Sequence, residues 1–168
     1  MTSGNTYKII FRRVFLTEGL PEPLKPNDNH LQITDKYFED TRIRLRQIRV
    51  PETNQRTNVL EQRNFNGNDL SKIKYSQMFL NEAEYKTFAR IKGSEIRKNR
   101  YFIEVFGKRV EIDIFLKPLQ NLSIANVYFE TEAEAREFKL PDFALKEITN
   151  DEFFTGENLA GKEFEDVR

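Results

Sequence analysis

Apolar and polar residues along this chain alternate mostly with a period of two, so strands are expected to dominate. Residues 7–16 read as a strand with mixed faces: Ile10, Arg12 and Val14 on one side, Phe11, Arg13 and Phe15 on the other. A loop with Pro21, Pro23 and Pro26 follows, and then strands at 31–37 and 41–50 around a turn at Glu39-Asp40. In the second of these, Arg42, Arg44 and Arg46 face one way and Ile43 and Leu45 the other. Residues 58–65 form a further strand with Glu61 and Arg63 on one face, closed by the turn Asn66-Gly67-Asn68-Asp69. Residues 73–80 lead as a strand into a helix that starts at the N-cap Asn81, with Glu84 at N3, and stops near Gly93.

Strands at 100–106 and 109–115 are joined by a hairpin at Gly107-Lys108, and a strand at 124–130 follows. Thr131 and Glu134 have the spacing of a capping box and predict a short helix over 132–138, which Pro141 stops. The tail from Lys146 to Arg168 shows little periodicity. The sum is about eight strands and two or three helices, with turns short enough for a largely antiparallel α+β arrangement. Arg42, Arg44 and Arg46 on one strand face repel unless water or an anion intervenes. Two architectures satisfy that pattern: a closed barrel with a polar lumen, or an open sheet with a solvated charged face.

Composition narrows the chemistry. The 168 residues fit a single domain spanning 1–168. Lysine and arginine (27) balance aspartate and glutamate (27), so bulk attraction to extended nucleic acid is not expected. Without cysteine, thiolate catalysis and Cys-based metal sites are excluded, and the lone His30 excludes a multi-histidine site; His30 is assigned no role. No apolar run is long enough for a membrane span, and the first residues lack the apolar stretch of a signal peptide. A soluble, cytoplasmic protein with no membrane partner is the expectation.

Several stretches resemble the CYTH superfamily, the triphosphate tunnel metalloenzymes, in order and spacing over nearly the whole chain. They include Ile33-Thr34-Asp35-Lys36-Tyr37, Thr41-Arg42-Ile43-Arg44-Leu45-Arg46, Leu60-Glu61-Gln62-Arg63, Ile96-Arg97-Lys98-Asn99-Arg100-Tyr101 and Glu111-Ile112-Asp113-Ile114-Phe115. The resemblance implies an eight-stranded antiparallel barrel, the tunnel fold, and hydrolysis of inorganic or organic triphosphates with Mg²⁺ or Mn²⁺. It also implies that Arg44, Arg46, Arg63, Lys98 and Arg100 are tunnel cations that bind phosphate, with Arg42 and Arg12 as additions. Tyr37 matches a tunnel-facing tyrosine able to orient water.

The departures bear on activity. The family's opening Glu-x-Glu-x-Lys falls on Ile10, Arg12 and Val14, and a later Glu-x-Glu falls on Asn126 and Tyr128. The remaining acids are Glu111, Asp113, Glu130 and Glu147; Glu111 and Asp113 are the candidate catalytic groups, and these two with Glu147 the candidate metal ligands. Mg²⁺ needs one or two carboxylates besides phosphate oxygens, so few are left to hold it. Three readings follow. The first is a tunnel that binds a nucleotide or polyphosphate with hydrolysis weak or lost, a pseudoenzyme. The second is an active divergent hydrolase, and the third a protein-interaction scaffold with a vestigial tunnel.

Overall fold

The computed structural model describes residues 7–167. Its strands are β1 (Lys8–Thr17), β2 (Leu31–Phe38), β3 (Ile43–Arg49), β4 (Arg56–Asn66), β5 (Asp69–Leu80), β6 (Gly93–Val105), β7 (Lys108–Phe115), β8 (Ser123–Phe129) and β9 (Ala144–Glu147). Helices α1 (Glu82–Ala89), α2 (Glu132–Glu137) and α3 (Gly156–Leu159) lie between and after them. The strands pair antiparallel in the order β5-β4-β3-β2-β6-β7-β8-β1, and β1 pairs again with β5. That last pairing closes an eight-stranded barrel, so the open-sheet alternative is excluded; β9 adds to the end of β1. No helix among the described residues is long and apolar enough to cross a membrane.

Alternation along each strand divides the barrel into two environments. On β3, Arg44 and Arg46 point to the lumen, while Leu45 packs outward with Phe38 and Leu80 under α1, where Tyr85 and Phe88 cover it. On β1, Arg12 and Val14 face the lumen, while fully buried Phe15 joins Val110, Ile112, Val127 and Phe129 beneath Ala135 and Phe138 of the α2 region. Each such buried Phe or Ile contributes about 1.5–3 kcal/mol relative to an exposed one. A third cluster, Val14, Tyr37, Ile96, Phe115, Ile124, Ile148 and Leu159, fills one end of the barrel.

Local chemistry explains where the elements begin and end. Asn81 Oδ1 accepts from Glu84 N at 2.9 Å and Asn81 N donates to Glu84 Oε1 at 2.8 Å, a reciprocal cap for α1. The expected second capping box is only half formed. Thr131 Oγ1 accepts from Glu134 N at 3.2 Å, but the Glu134 carboxylate is drawn away to Lys108 at 3.0 Å. β6 begins at Gly93 rather than Arg100, because ladder pairing with β2 starts immediately after α1. The β6–β7 turn sits on Phe106-Gly107, whose φ values of 49° and 74° are both positive, the signature of a type I′ hairpin.

The tail is more structured than its lack of periodicity suggests. After β9 it runs through a short 3-10 turn (Glu152–Phe154) into α3 and a second turn (Phe164–Asp166). Phe153, Phe154 and Leu159 pack into the apolar cluster at the barrel end. Gly156 is where α3 touches Tyr37 so closely that a Cβ would overlap the phenol.

Candidate functional site

The lumen is lined by charges that face one another across neighbouring strands. Asp35 and Arg46 are direct partners in the β2–β3 ladder, Arg44 and Glu61 in β3–β4, and Arg100 and Asp113 in β6–β7. Arg46 Nε and Nη2 reach Asp35 Oδ1 and Oδ2 at 2.6 and 2.8 Å. Arg100 makes the same two-point contact with Asp113, at 2.7 and 2.9 Å. Arg44 Nε donates to Glu61 Oε2 at 3.0 Å. Lys98 Nζ stands between the two aspartates, 2.9 Å from Asp113 Oδ2 and 3.9 Å from Asp35 Oδ2. Arg100 also reaches Glu111 Oε2 at 3.1 Å.

These pairings set the protonation states. Burial by itself would raise the Asp35 carboxyl, yet Arg46, Arg44 and Lys98 hold it well below the usual carboxylate range. Asp113 is likewise held low against its burial by Arg100 and Lys98. Burial pushes the Lys98 ammonium down to about 8, against the attraction of Asp113. The Tyr37 phenol is raised by burial, and its hydroxyl lies 3.5 Å from Arg44 Nη1.

Two guanidinium groups stand apart. Arg12 is 8% exposed, and its Nε donates to the Leu70 carbonyl at 2.9 Å. Arg63 projects from β4 toward it, and both lie over the Phe65 ring, at 5.1 and 5.4 Å from its centroid. Neither has a carboxylate ion-pair partner among the described residues. Burial, and then repulsion from Arg63, pull Arg12 down to about 10.

The open space has two parts. An inner cavity of about 60 Å³ lies under the tail, bordered by Arg12, Lys98, Asp113 and Asn126 and closed by Phe154 and Leu159. By the volume one water needs, it holds only a few waters or one small group. An outer cavity of about 210 Å³ is bordered by Ile10, Ile73, Tyr75, Gln77, Glu61 and Glu111. Arg44, Arg46, Arg63, Arg100 and Tyr128 border both, forming a cationic waist between them.

Of the seven cations expected in the lumen, the structure brings together Arg12, Arg44, Arg46, Arg63, Lys98 and Arg100, with Tyr37, Glu111 and Asp113 beside them. Arg42 does not join them: it lies exposed before β3, where its side chain bonds Asn64. Glu147 also falls outside, because β9 lies on the outer side of the barrel. There it pairs with Arg13 at 2.8 Å. Glu130 is exposed just past β8. The counter-ions that sequence reasoning missed are Asp35 and Glu61. The signal was present: each lies two residues from a candidate lumen residue, Tyr37 and Arg63, and so shares its strand face. His30 packs on Tyr101 with ring centroids 4.8 Å apart, away from the tunnel.

The residues do not fit a divalent-metal site. No cluster of three or more metal-binding side chains occurs among the described residues. Asp113 already receives two bonds from Arg100, one from Lys98 and one, at 3.3 Å, from Asn126 Nδ2. Three of these fall on Oδ2 and one on Oδ1, so Oδ2 is saturated and about one lone-pair position is left on Oδ1. Asp35 is taken by Arg46, and Glu61 by Arg44. Glu111 Oε2 accepts no hydrogen bond, but it is held in an ion pair 3.1 Å from Arg100 Nη1.

No family model matches the chain, and no curated protein matches it. Solved structures do. The hypothetical protein NE1496 superposes with a TM-score of 0.60 at 19% identity, over 92% of this chain and 99% of its own. A structure of the inorganic triphosphatase NE1496 gives 0.58 at 19% identity, over 90% and 93%. A conserved hypothetical protein from Pyrococcus furiosus gives 0.51 at 15% identity, over 76% and 84%. This chain has the tunnel fold. At these identities the likeness is one of fold.

Proposed function

We propose that the chain is a divergent member of the tunnel family, a single domain over residues 1–168 acting in the cytoplasm. In this reading its lumen binds a phosphate-rich anion, a triphosphate, nucleotide or polyphosphate, with metal-dependent hydrolysis weak or lost. The observation that carries it is the surplus of positive charge lining the lumen. Asp35, Glu61, Glu111 and Asp113 face Arg12, Arg44, Arg46, Arg63, Lys98 and Arg100, and Arg12 and Arg63 are left without a carboxylate. Unpaired buried charge is costly, and an anion relieves that cost. The planar guanidinium forks suit phosphate oxygens. That the inorganic triphosphatase NE1496 shares the fold supports the same ligand class.

The weak-hydrolysis half rests on the engagement of Asp113, Asp35 and Glu61 with cations, and on Ile10, Arg12, Asn126 and Tyr128 at the positions where the family carries acids. The test has two arms. Calorimetry at low salt should show binding of tripolyphosphate or ATP that weakens as salt rises. A phosphate-release assay with Mg²⁺ or Mn²⁺ should show little turnover.

Glu111, which borders the outer cavity and is held there by a single ion pair to Arg100, favours a second reading, an active triphosphatase using Mg²⁺ or Mn²⁺. Robust metal-dependent release that disappears in Glu111→Gln would put that reading in place of the first. Failure of every phosphate ligand to bind would leave the scaffold reading.

A further inference from the structure

The lumen acids are consumed by neighbouring cations, yet a polyphosphate entering it still needs its charge balanced. In a metal-using site a divalent ion bridges the phosphate oxygens to protein carboxylates. Here the carboxylate side of that bridge is occupied. The uncommitted charge is positive and belongs to the protein. Arg12 is held rigidly: Leu70 N donates to Asn150 Oδ1 at 2.8 Å, and the Leu70 carbonyl in turn accepts from Arg12 Nε at 2.9 Å. That contact uses one donor and leaves both Nη groups of Arg12 without a protein hydrogen bond among the described residues. Arg12 and Arg63 both contact the Phe65 ring, at 5.1 and 5.4 Å from its centroid, near enough for Arg63 to repel the Arg12 charge. Arg12 borders the inner cavity, and Arg63 borders both cavities. The inner space, about 60 Å³, is small enough for a single terminal group and too small for a whole polyphosphate chain.

We propose that Arg12 and Arg63, laid over Phe65, form a metal-free clamp for the terminal phosphoryl group of a polyphosphate, supplying from side chains the charge that a divalent cation would otherwise bring. The clamp rests on the reading of the lumen as a phosphate site. It adds to that reading the subsite, the residues and the independence from metal. It has a consequence in the ligand-free protein as well. Two close guanidinium groups with no counter-ion weaken the empty fold, so removing one should stabilise it while destroying the site.

Calorimetric titration with sodium tripolyphosphate, first in excess chelator and then in excess Mg²⁺, tests the clamp on wild type, Arg12→Met and Arg63→Met. Thermal melts of each protein accompany the titrations. Wild type should bind in chelator and several-fold more weakly in excess Mg²⁺, since the magnesium complex carries less negative charge. Each variant should lose about 10- to 100-fold in affinity, the range for a hydrogen bond to a charged group. Arg12→Met should also melt higher than wild type without ligand and gain little when tripolyphosphate is added. A merely structural arginine would lower the melting point instead. If Arg12→Met does not fold, Arg63→Met, at a half-exposed position, decides alone. Wild-type binding that requires Mg²⁺, or variants that bind in chelator as well as wild type, overturn the clamp and leave the lumen reading standing. No binding by wild type under either condition overturns both.

Discussion

Asp35 and Arg46 face each other as direct partners across the β2–β3 ladder and meet in a two-point ion pair, with Arg44 and Lys98 both 3.9 Å from Asp35 Oδ2. Three lumen cations therefore share one fully buried carboxylate. Asp35→Asn keeps the shape of the side chain and removes its charge. Breaking a buried pair in this way costs about 3–5 kcal/mol. Chemical denaturation should show a loss of that size, and added tripolyphosphate should recover more stability in the variant than in wild type. A variant as stable as wild type would mean that the arginines are not held by Asp35.

Asp35 and Asp113 also fix the acid limit of the fold. Both carboxyls are lower in the folded protein than their ordinary value of 3.8, so below that value the unfolded chain takes up protons first. Their contribution is fully present above that range and is lost as pH falls through it and below. Denaturation free energy should be nearly flat from about pH 6 to 5 and fall steeply below about pH 4. Asp113→Asn should be less stable at neutral pH and show a shallower acid slope.

The fold was largely legible in the sequence, because strand alternation survives wherever one face is apolar. Arg44 and Arg46 against Leu45, or Arg12 and Val14 against Phe15, sort correctly by parity alone. Closure of the sheet was not legible from pattern, because the β1–β5 pairing joins segments far apart in sequence. Six of the seven candidate cations line the lumen; of their carboxylate partners Glu111 and Asp113 are legible, while Asp35 and Glu61 are not. Placing the β2–β3 turn at Glu39-Asp40 hides the true register, in which Tyr37 pairs with Arg44 and Asp35 with Arg46. Glu147 was misplaced for a related reason: β9 pairs with the end of β1 but has no place inside the closed ring. The tail defeated periodicity because Phe153, Phe154 and Leu159 are spaced to fill the end of a barrel rather than to face one sheet or stripe.

Gly156 tests how the tail closes that end. Any side chain there meets the hydroxyl and ring tip of Tyr37, itself buried beside Arg44. Gly156→Ala should destabilise by about 1–3 kcal/mol, the range for overpacking a filled site. The double variant Gly156→Ala/Tyr37→Leu should recover part of that loss, because the shorter side chain vacates the overlap. Thermal melts of the single and double variants measure both. An additive double variant would show that Tyr37 is not the obstacle.

Lys98 links anion binding to protons. Burial depresses its ammonium to about 8 from an ordinary 10.5, although Asp113 lies 2.9 Å away. Because the folded value is the lower one, the unfolded chain holds more protons between those two values. The stability of the ligand-free protein should therefore rise with pH from about 8 to 10.5 as this buried charge is relieved. A polyanion in the lumen acts in the opposite sense. It stabilises the ammonium form and raises the pKa, so binding above pH 8 must be accompanied by proton uptake. Affinity should then fall as pH climbs through 8, with a slope approaching one proton. Calorimetry of tripolyphosphate binding in two buffers of different ionisation enthalpy measures the uptake directly. It should be near zero about one pH unit below the Lys98 value and grow toward one above it. Lys98→Met should bind more weakly at neutral pH and abolish the uptake. If wild type and Lys98→Met take up the same number of protons at pH values above 8, the titrating group lies elsewhere and Lys98 does not face the ligand.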